Sequence, residues 1–321
     1  MTKTNRIGKN ANEIYSTEYP DIAWIVPGLL PSGLAFLGGR PKAGKSWLTM
    51  QIAQSMGCKN LVLGHETTSG RVLYLALEDG ERRLKQRMQI QGWNEKARKN
   101  VDFLTIETFT KTIGFLHENN NAKKLYSLVK YGKYKMVVID SFNVAFMGLK
   151  NVDDSPVMTA ALKPLQNHSL EANILTMVID HHNKLSVSSN GNQSPIDNIQ
   201  NSTAKSSVSD TALGVYKLGK GQLRLMATGR DIEDIDIKIL ADNNMHYQYE
   251  GQGKVSNKEQ EVLDAIISVG NLVKMTDVSK ALNIPKSRAS ERLNNLFQEG
   301  YIERDSETKA FYIPKNGKKP N

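Results

Sequence analysis

Gly39-Arg40-Pro41-Lys42-Ala43-Gly44-Lys45-Ser46 is the stretch whose reading decides the fold. It fits the pattern G-x-x-x-x-G-K-[ST], and its flanks fit as well. Gly33-Leu34-Ala35-Phe36-Leu37-Gly38 before it is a short apolar run of buried-strand type, and Trp47 to Ala53 after it has apolar positions at helical spacing. A strand, a glycine-rich loop and a helix in that order aim backbone N–H groups and a helix N-terminus at phosphate. Gly39 and Gly44 permit the tight turn and the close backbone approach. Residues 39–46 together with Trp47 are the expected nucleotide cradle. Lys45 would reach the β- and γ-phosphates, and the Ser46 hydroxyl would ligate Mg²⁺. The expected cofactors are ATP and Mg²⁺.

Outward from this loop, strands and helices alternate. Arg71–Leu77, Val101–Ile106, Met136–Ile139 and Ile174–Ile179 read as buried strands. Between them lie expected helices over Gly80–Gln91, Ala122–Tyr131 and Pro156–Leu170, the last with Ser155 as N-cap and Pro164 as a kink or break. Alternation of this kind predicts an α/β fold with a mostly parallel sheet covered on both faces. Residues 183–209 are rich in Ser and Asn and read as one long loop. Thr211–Leu218, Leu223–Ala227 and Ile235–Leu240 then read as an antiparallel extension of the sheet.

Phosphate transfer needs a metal ligand and an oriented water besides a cradle. Asp140 closes the strand Met136–Ile139 at the sheet edge where Mg²⁺ would sit. Glu78 ends Leu73–Leu77 at the same edge and is the preferred base for the water, with Asp79 behind it. Asp180-His181-His182 ends the next strand; a hydrogen-bonding role toward the γ-phosphate suits it better than zinc, because no third nitrogen or sulfur ligand is close in sequence. Arg230, after a late strand, is either an arginine finger for a neighbouring subunit or a salt-bridge partner of Asp231 or Asp234.

The ordered set GRPKAGKS, LYLALED, MVVID, a DHH strand end, SDTALGVY and GRD resembles the RecA-like ATPases of the RepA hexameric-helicase type, in the broader class that includes DnaB, RadA and KaiC. The resemblance spans roughly Trp24 to Asp234. It implies Lys45 and Ser46 on nucleotide and metal, Glu78 as base, Asp140 on Mg²⁺, His182 as sensor and Arg230 as finger. It also implies a homo-oligomeric ring, commonly of six, with sites between subunits, single-stranded DNA in a central channel and replication proteins as partners. Residues 183–209 stand where the channel loop would be, with Lys184 and Lys205 facing phosphates. That segment carries no aromatic residue on which bases would stack.

Residues 257–315 form a second unit after a linker at 251–256, and residues 1–20 and 316–321 are polar flanks, the latter basic. Helix, helix, turn, helix and a hairpin wing is the order of a winged helix-turn-helix. Lys286, Arg288, Ser290 and Arg292 on its third helix and Arg304 on its wing are the expected DNA contacts. Residues 255–321 hold 11 Lys+Arg against 9 Asp+Glu, so the unit is only slightly basic.

The 321-residue chain as a whole carries +9, with a pI near 9.3, which suits a polyanionic partner. Its single cysteine, Cys58, excludes an intrachain disulfide and a multi-cysteine zinc site. No apolar run long enough for a membrane span and no secretory leader is visible, so the expectation is a cytoplasmic protein. The first reading is an ATP-driven replicative helicase or initiator of a plasmid, phage or other mobile element. An ATP-switched DNA-binding regulator or helicase loader, and a KaiC-like signalling ATPase, are the alternatives.

Overall fold

The structure is a computed structural model and describes residues 8–118, 120–181, 202–218, 221–252, 257–270, 272–298, 302–306 and 308–313. The chain divides into two compact units, Met1–Gly251 and Gln252–Asn321.

The first unit is organised by nine strands: β1 (Gly33–Gly39), β2 (Arg71–Ala76), β3 (Val101–Thr105), β4 (Tyr134–Asp140), β5 (Leu175–His181), β6 (Thr211–Lys217), β7 (Gln222–Gly229), β8 (Ile235–Ala241) and β9 (Tyr247–Gln252). Their order across the sheet is β9-β8-β7-β6-β1-β5-β4-β2-β3. The six strands from β6 to β3 run parallel, and β7 and β8 extend the sheet antiparallel. β1, at its centre, is buried along its whole length.

Side-chain alternation along the strands builds the two cores. Ala35, Leu37, Tyr74, Val138, Met177 and Ile179 face α1 (Lys45–Cys58), which packs on them with Leu48, Ile52 and Met56. Leu34, Phe36, Leu75, Val137, Ile139 and Val178 face the other way, under α3 (Asn121–Gly132), α4 (Ser155–Glu171) and α5 (Ser202–Val208). On the α1 side, α2 (Glu81–Ile90) completes the cover through Leu84. Both faces are therefore dry, as near-continuous apolar strands require.

Several local expectations are corrected. Asp154, not Ser155, is the N-cap of α4, and Pro156 sits in its first turn, where a missing N–H is harmless. Pro164 does not divide α4, because Met158, Leu162 and Leu165 anchor the helix to the sheet on both sides of it. The segment read as one loop over 183–209 ends in α5; Ala204 and Val208, four residues apart, are buried in the second core. β9, a polar edge strand, went unpredicted.

The second unit holds α6 (Asn257–Val269), α7 (Met275–Ala281), α8 (Lys286–Gln298) and the hairpin β10 (Glu303–Arg304) with β11 (Phe311–Tyr312). Val262, Ile266, Val278, Ala289, Leu293 and Phe311 share its core. Ile267 and Phe297 are 63% and 45% exposed. The cap of α7 is at Lys274, whose backbone N–H donates to the Asp277 carboxylate at 2.8 Å, so Thr276 lies within the helix.

Candidate nucleotide site

Parity along the strands decides which side chains reach the phosphate loop. Ala35 and Leu37 lead to Gly39, Tyr74 and Ala76 to Glu78, Val138 to Asp140, and Met177 and Ile179 to His181, all on the α1 side of the sheet. Parallel pairing sets Gly39 beside His181 and Asp140 beside Ala76. The strand ends thus deliver a loop, two carboxylates and an imidazole to one edge of the sheet, around a cavity of about 650 Å³.

The loop has the conformation its glycines predict. Gly44 lies at φ +96°, and a Cβ there would come 2.1 Å from the Tyr247 Oη, so both backbone and space demand glycine. The Lys45 ammonium is held inside the loop, donating to the carbonyls of Gly39 at 2.7 Å and Arg40 at 3.1 Å. Burial lowers its pKa, against the opposing pull of Asp140, Asp180 and Glu78. Pro41 to Trp47 line the cavity. Trp47 forms part of the wall, its ring 5.5 Å from the Arg87 guanidinium.

Asp140 is 6% exposed. Desolvation raises its pKa, opposed by hydrogen bonds from Ser46 and Tyr74, the latter at 2.9 Å. Tyr74 is itself held by Thr49 of α1 at 3.0 Å. A serine hydroxyl meeting a carboxylate is a pair of hard oxygen donors, and this is the chemistry Mg²⁺ prefers. Among the described residues no group of three or more His, Cys, Asp or Glu is placed to hold a metal by itself. The donor set therefore fits a cation held jointly with nucleotide oxygens.

The two carboxylates after β2 separate into different jobs. Asp79 accepts from Arg83 at 2.8 Å and is also paired with Arg87. Glu78 is exposed to the cavity, and the Ser141 hydroxyl donates to its Oε1. Glu78 thus faces the cavity with no salt-bridge partner among the described residues, whereas Asp79 is held by two arginines.

His182, the expected sensor, lies outside the described residues, as does Lys184. The histidine that lines the cavity is His181, and its buried Nδ1 has no hydrogen-bond partner among the described residues. Its backbone N–H donates to Asp180 Oδ1 at 2.8 Å. Asp180 points to the opposite face, where its Oδ2 meets the Lys205 ammonium at 2.5 Å. Lys205 is thereby corrected as a DNA contact: its side chain is 2% exposed and lies 4.0 Å over the Phe142 ring. Parity in β5 was the sequence signal that separates His181 from Asp180.

Arg230 follows β7, whose end pairs through Thr211 with Ala35, at the edge of the sheet away from the loop. Its guanidinium meets Asp210 Oδ1 at 3.3 Å and the Ser207 carbonyl at 3.2 Å, not Asp231 or Asp234, and its side chain stays 59% exposed. It does not line its own subunit's cavity.

Residues 7–187 match the AAA domain family, and this span exceeds half of the chain. The chain belongs to the AAA domain family. Among solved structures, the AAA-domain chain is similar to an isolated ATPase domain, with a TM-score of 0.51 at 11% identity over 67% of this chain and 84% of that one. The RadB recombinase aligns with a TM-score of 0.47 at 18% identity (70% and 91% covered). A KaiC-like protein, PH0186 of Pyrococcus horikoshii OT3, aligns with a TM-score of 0.47 at 16% identity (70% and 93% covered). Residues 255–317 match the sugar-specific transcriptional regulator TrmB family. A comparison with curated proteins finds no match. The AAA-domain chain is therefore a RecA-like P-loop fold with a C-terminal winged helix.

On that winged helix Lys286 and Arg288 of α8 are exposed and Ser290 is half-buried. Arg292 is corrected: its side chain is 17% exposed and ties α8 to Glu261 of α6 at 3.2 Å. Arg304 is exposed, with its Nε donating to the Lys309 carbonyl at 3.2 Å and its guanidinium 5.3 Å from the Phe311 ring.

Sequence reasoning missed one wall of the AAA-domain cavity. Tyr247 of β9 is 3% exposed and closes over Gly44. Its backbone is stitched to α1 by Gln51, which accepts from the Tyr247 N–H at 2.8 Å and donates to its carbonyl at 2.9 Å. Burial lifts the Tyr247 phenol to about 12, so it stays protonated. Among the described residues no helix is long and apolar enough to cross a membrane.

Proposed function

We propose that this chain is an ATP-hydrolysing DNA-binding protein, acting as a replicative helicase or replication initiator of the RepA type in a mobile element. The observation that carries the hydrolysis is the convergence of Lys45, the Ser46–Asp140 pair and a Glu78 with no salt-bridge partner among the described residues on one cavity.

The loop N–H groups and Lys45 bind the phosphate chain, with Lys45 leaving its two carbonyl acceptors for phosphate oxygens. The Ser46 hydroxyl and Asp140 would hold Mg²⁺, which when bound would supply charge neutralisation on the transferring phosphoryl group. Glu78, oriented by Ser141, accepts a proton from the attacking water. Tyr247 and Trp47 form two of the cavity's walls. His181, which lines the cavity, takes the sensor role first given to His182.

Arg230 is the proposed finger, and it acts in trans. From Ala35 to Gly39 a strand rises about 13 Å at roughly 3.3 Å per residue, so Arg230 is out of reach of its own phosphates. This supports a homo-oligomer with sites between subunits, commonly a hexamer in the RepA-type resemblance. Lys286, Arg288 and Arg304 are the proposed phosphate contacts of the winged helix, with Ser290 close to the base edges.

The similarity of residues 255–317 to a transcriptional regulator family favours one second reading, an ATP-switched DNA-binding regulator. ATP turnover with and without single-stranded DNA tests the first reading. The helicase reading expects stimulation by single strands that Lys45→Ala abolishes; the regulator reading expects duplex binding that depends on ATP and no stimulation. Turnover unaffected by Lys45→Ala removes both.

A further inference from the structure

The aromatic side chains missing from residues 183–209 occur elsewhere, in Lys130-Tyr131-Gly132-Lys133-Tyr134-Lys135 at the turn from α3 into β4. This turn borders a second cavity, of about 730 Å³. The cavity lies by Tyr134 and Ile174, at the starts of β4 and β5, and the phosphate loop lies beyond their ends.

Four lysines line it: Lys123, Lys130, Lys133 and Lys135. All four are exposed, and among the described residues none of them has a salt-bridge partner. The one carboxylate in the lining, Glu171, is engaged by His168 Nδ1 at 3.2 Å. Four unpaired ammoniums at one mouth repel each other and are relieved by a polyanion.

The floor is apolar, aromatic and rigidly braced. Tyr134 donates to Asp102 at 2.6 Å, and Arg71 lies over its ring at 4.7 Å while donating to the same carboxylate. Arg71 also holds the Gly132 carbonyl at 2.8 Å, so the turn itself is pinned. Tyr126 is locked by Ser169 and Thr176 at 2.8 and 2.6 Å, and the His168 ring rests 5.2 Å from it. Tyr131, outside the lining but next in sequence to Lys130, stands 89% exposed, a large flat face left in water. Lysines alternating with aromatic rings, one of them free, are the elements of a stacking platform for unpaired bases with phosphates on the rim.

We infer that this corner of the first unit is a binding site for single-stranded nucleic acid. The inference rests on the DNA reading proposed above and names a surface for it. A strand seated here sets its phosphates on the four lysines and a base on Tyr131.

The test is fluorescence anisotropy of a labelled oligothymidylate with the full-length chain, titrated over salt. In the Lys123→Ala/Lys130→Ala/Lys133→Ala/Lys135→Ala variant the slope of log affinity against log salt falls by about 3, at roughly 0.7 per phosphate contact. Tyr131→Ala weakens binding by about tenfold and leaves the slope unchanged, as loss of a stacked base requires. Both variants retain wild-type affinity for an ATP analogue, which shows that they fold. A quadruple variant with the wild-type slope overturns the site while the DNA reading stands. A wild-type chain that binds no single strand overturns the DNA reading itself and the site with it. Binding of a free nucleotide to a Lys45→Ala chain that vanishes in the quadruple variant overturns the single-strand occupant in favour of a small nucleotide.

Discussion

Lys205→Met is the perturbation with the largest expected effect on stability. Lys205 and Asp180 are 2% and 1% exposed and only 2.5 Å apart. Removing the cation leaves the carboxylate buried without a counter-charge, and breaking such a pair costs about 3–5 kcal/mol. For a unit of this size that corresponds to a fall in melting temperature of about 10 °C, at roughly 2–4 °C per kcal/mol. Trp24, Trp47 and Trp93 all lie in the first unit, so tryptophan fluorescence in thermal or urea unfolding reports that unit alone. Lys205→Met/Asp180→Asn recovers most of the loss, since the amide oxygen still accepts the His181 N–H and no charge remains. The DNA affinity of Lys205→Met keeps the wild-type salt slope, because a buried lysine releases no counterions. A destabilisation under about 1 kcal/mol, or a double variant as weak as the single one, would refute the buried-pair reasoning.

Three further outcomes follow from the cavity. Gly44→Ala abolishes ATP-analogue binding in equilibrium titrations, as the new Cβ meets the Tyr247 hydroxyl and the backbone is held at φ +96°. Asp79→Asn retains most ATP turnover while Asp140→Asn loses at least about a hundredfold, because Asp79 is spent on Arg83 and Arg87 whereas Asp140 faces Ser46. The pH profile of turnover carries a sign: burial raises the Asp140 pKa, so metal binding and activity fail, as pH falls, sooner than for an ordinary carboxylate, and protonation there relieves rather than costs folding energy. Tyr74→Phe removes a hydrogen bond to the ionised form and moves that acid limb up by about one pH unit, at roughly 1.5 kcal/mol for a bond to a charge.

What the sequence made legible was local. The phosphate loop, Glu78 and Asp140 are named by a short motif and by the polar residues that close apolar strands, and parity then carries their side chains to one face. The rest is tertiary. Tyr247 belongs to a polar edge strand far along the chain, and only the folded sheet brings it over Gly44. Lys205, in a Ser-rich stretch, reads as a solvated lysine until Asp180 turns toward it from the back of β5. Asp180 and His181 part to opposite faces by a single step of the pleat. The lysine–tyrosine turn at 130–135 looks like a helix end, and its cavity exists because Arg71 and Asp102 from two other strands brace it.

The most direct test of the shared catalytic site mixes two inactive variants. Glu78→Gln keeps its arginine and loses its base, while Arg230→Ala keeps its base and loses its arginine. Each alone binds ATP and turns it over at no more than about a hundredth of the wild-type rate, a loss in the range of a missing charge contact in phosphoryl transfer. Mixed in equal amounts they regain a substantial part of that rate, because some interfaces then pair an intact Glu78 with an intact Arg230. Mixtures no more active than the separate variants would contradict the account, as would a Glu78→Gln chain that hydrolyses ATP at the wild-type rate.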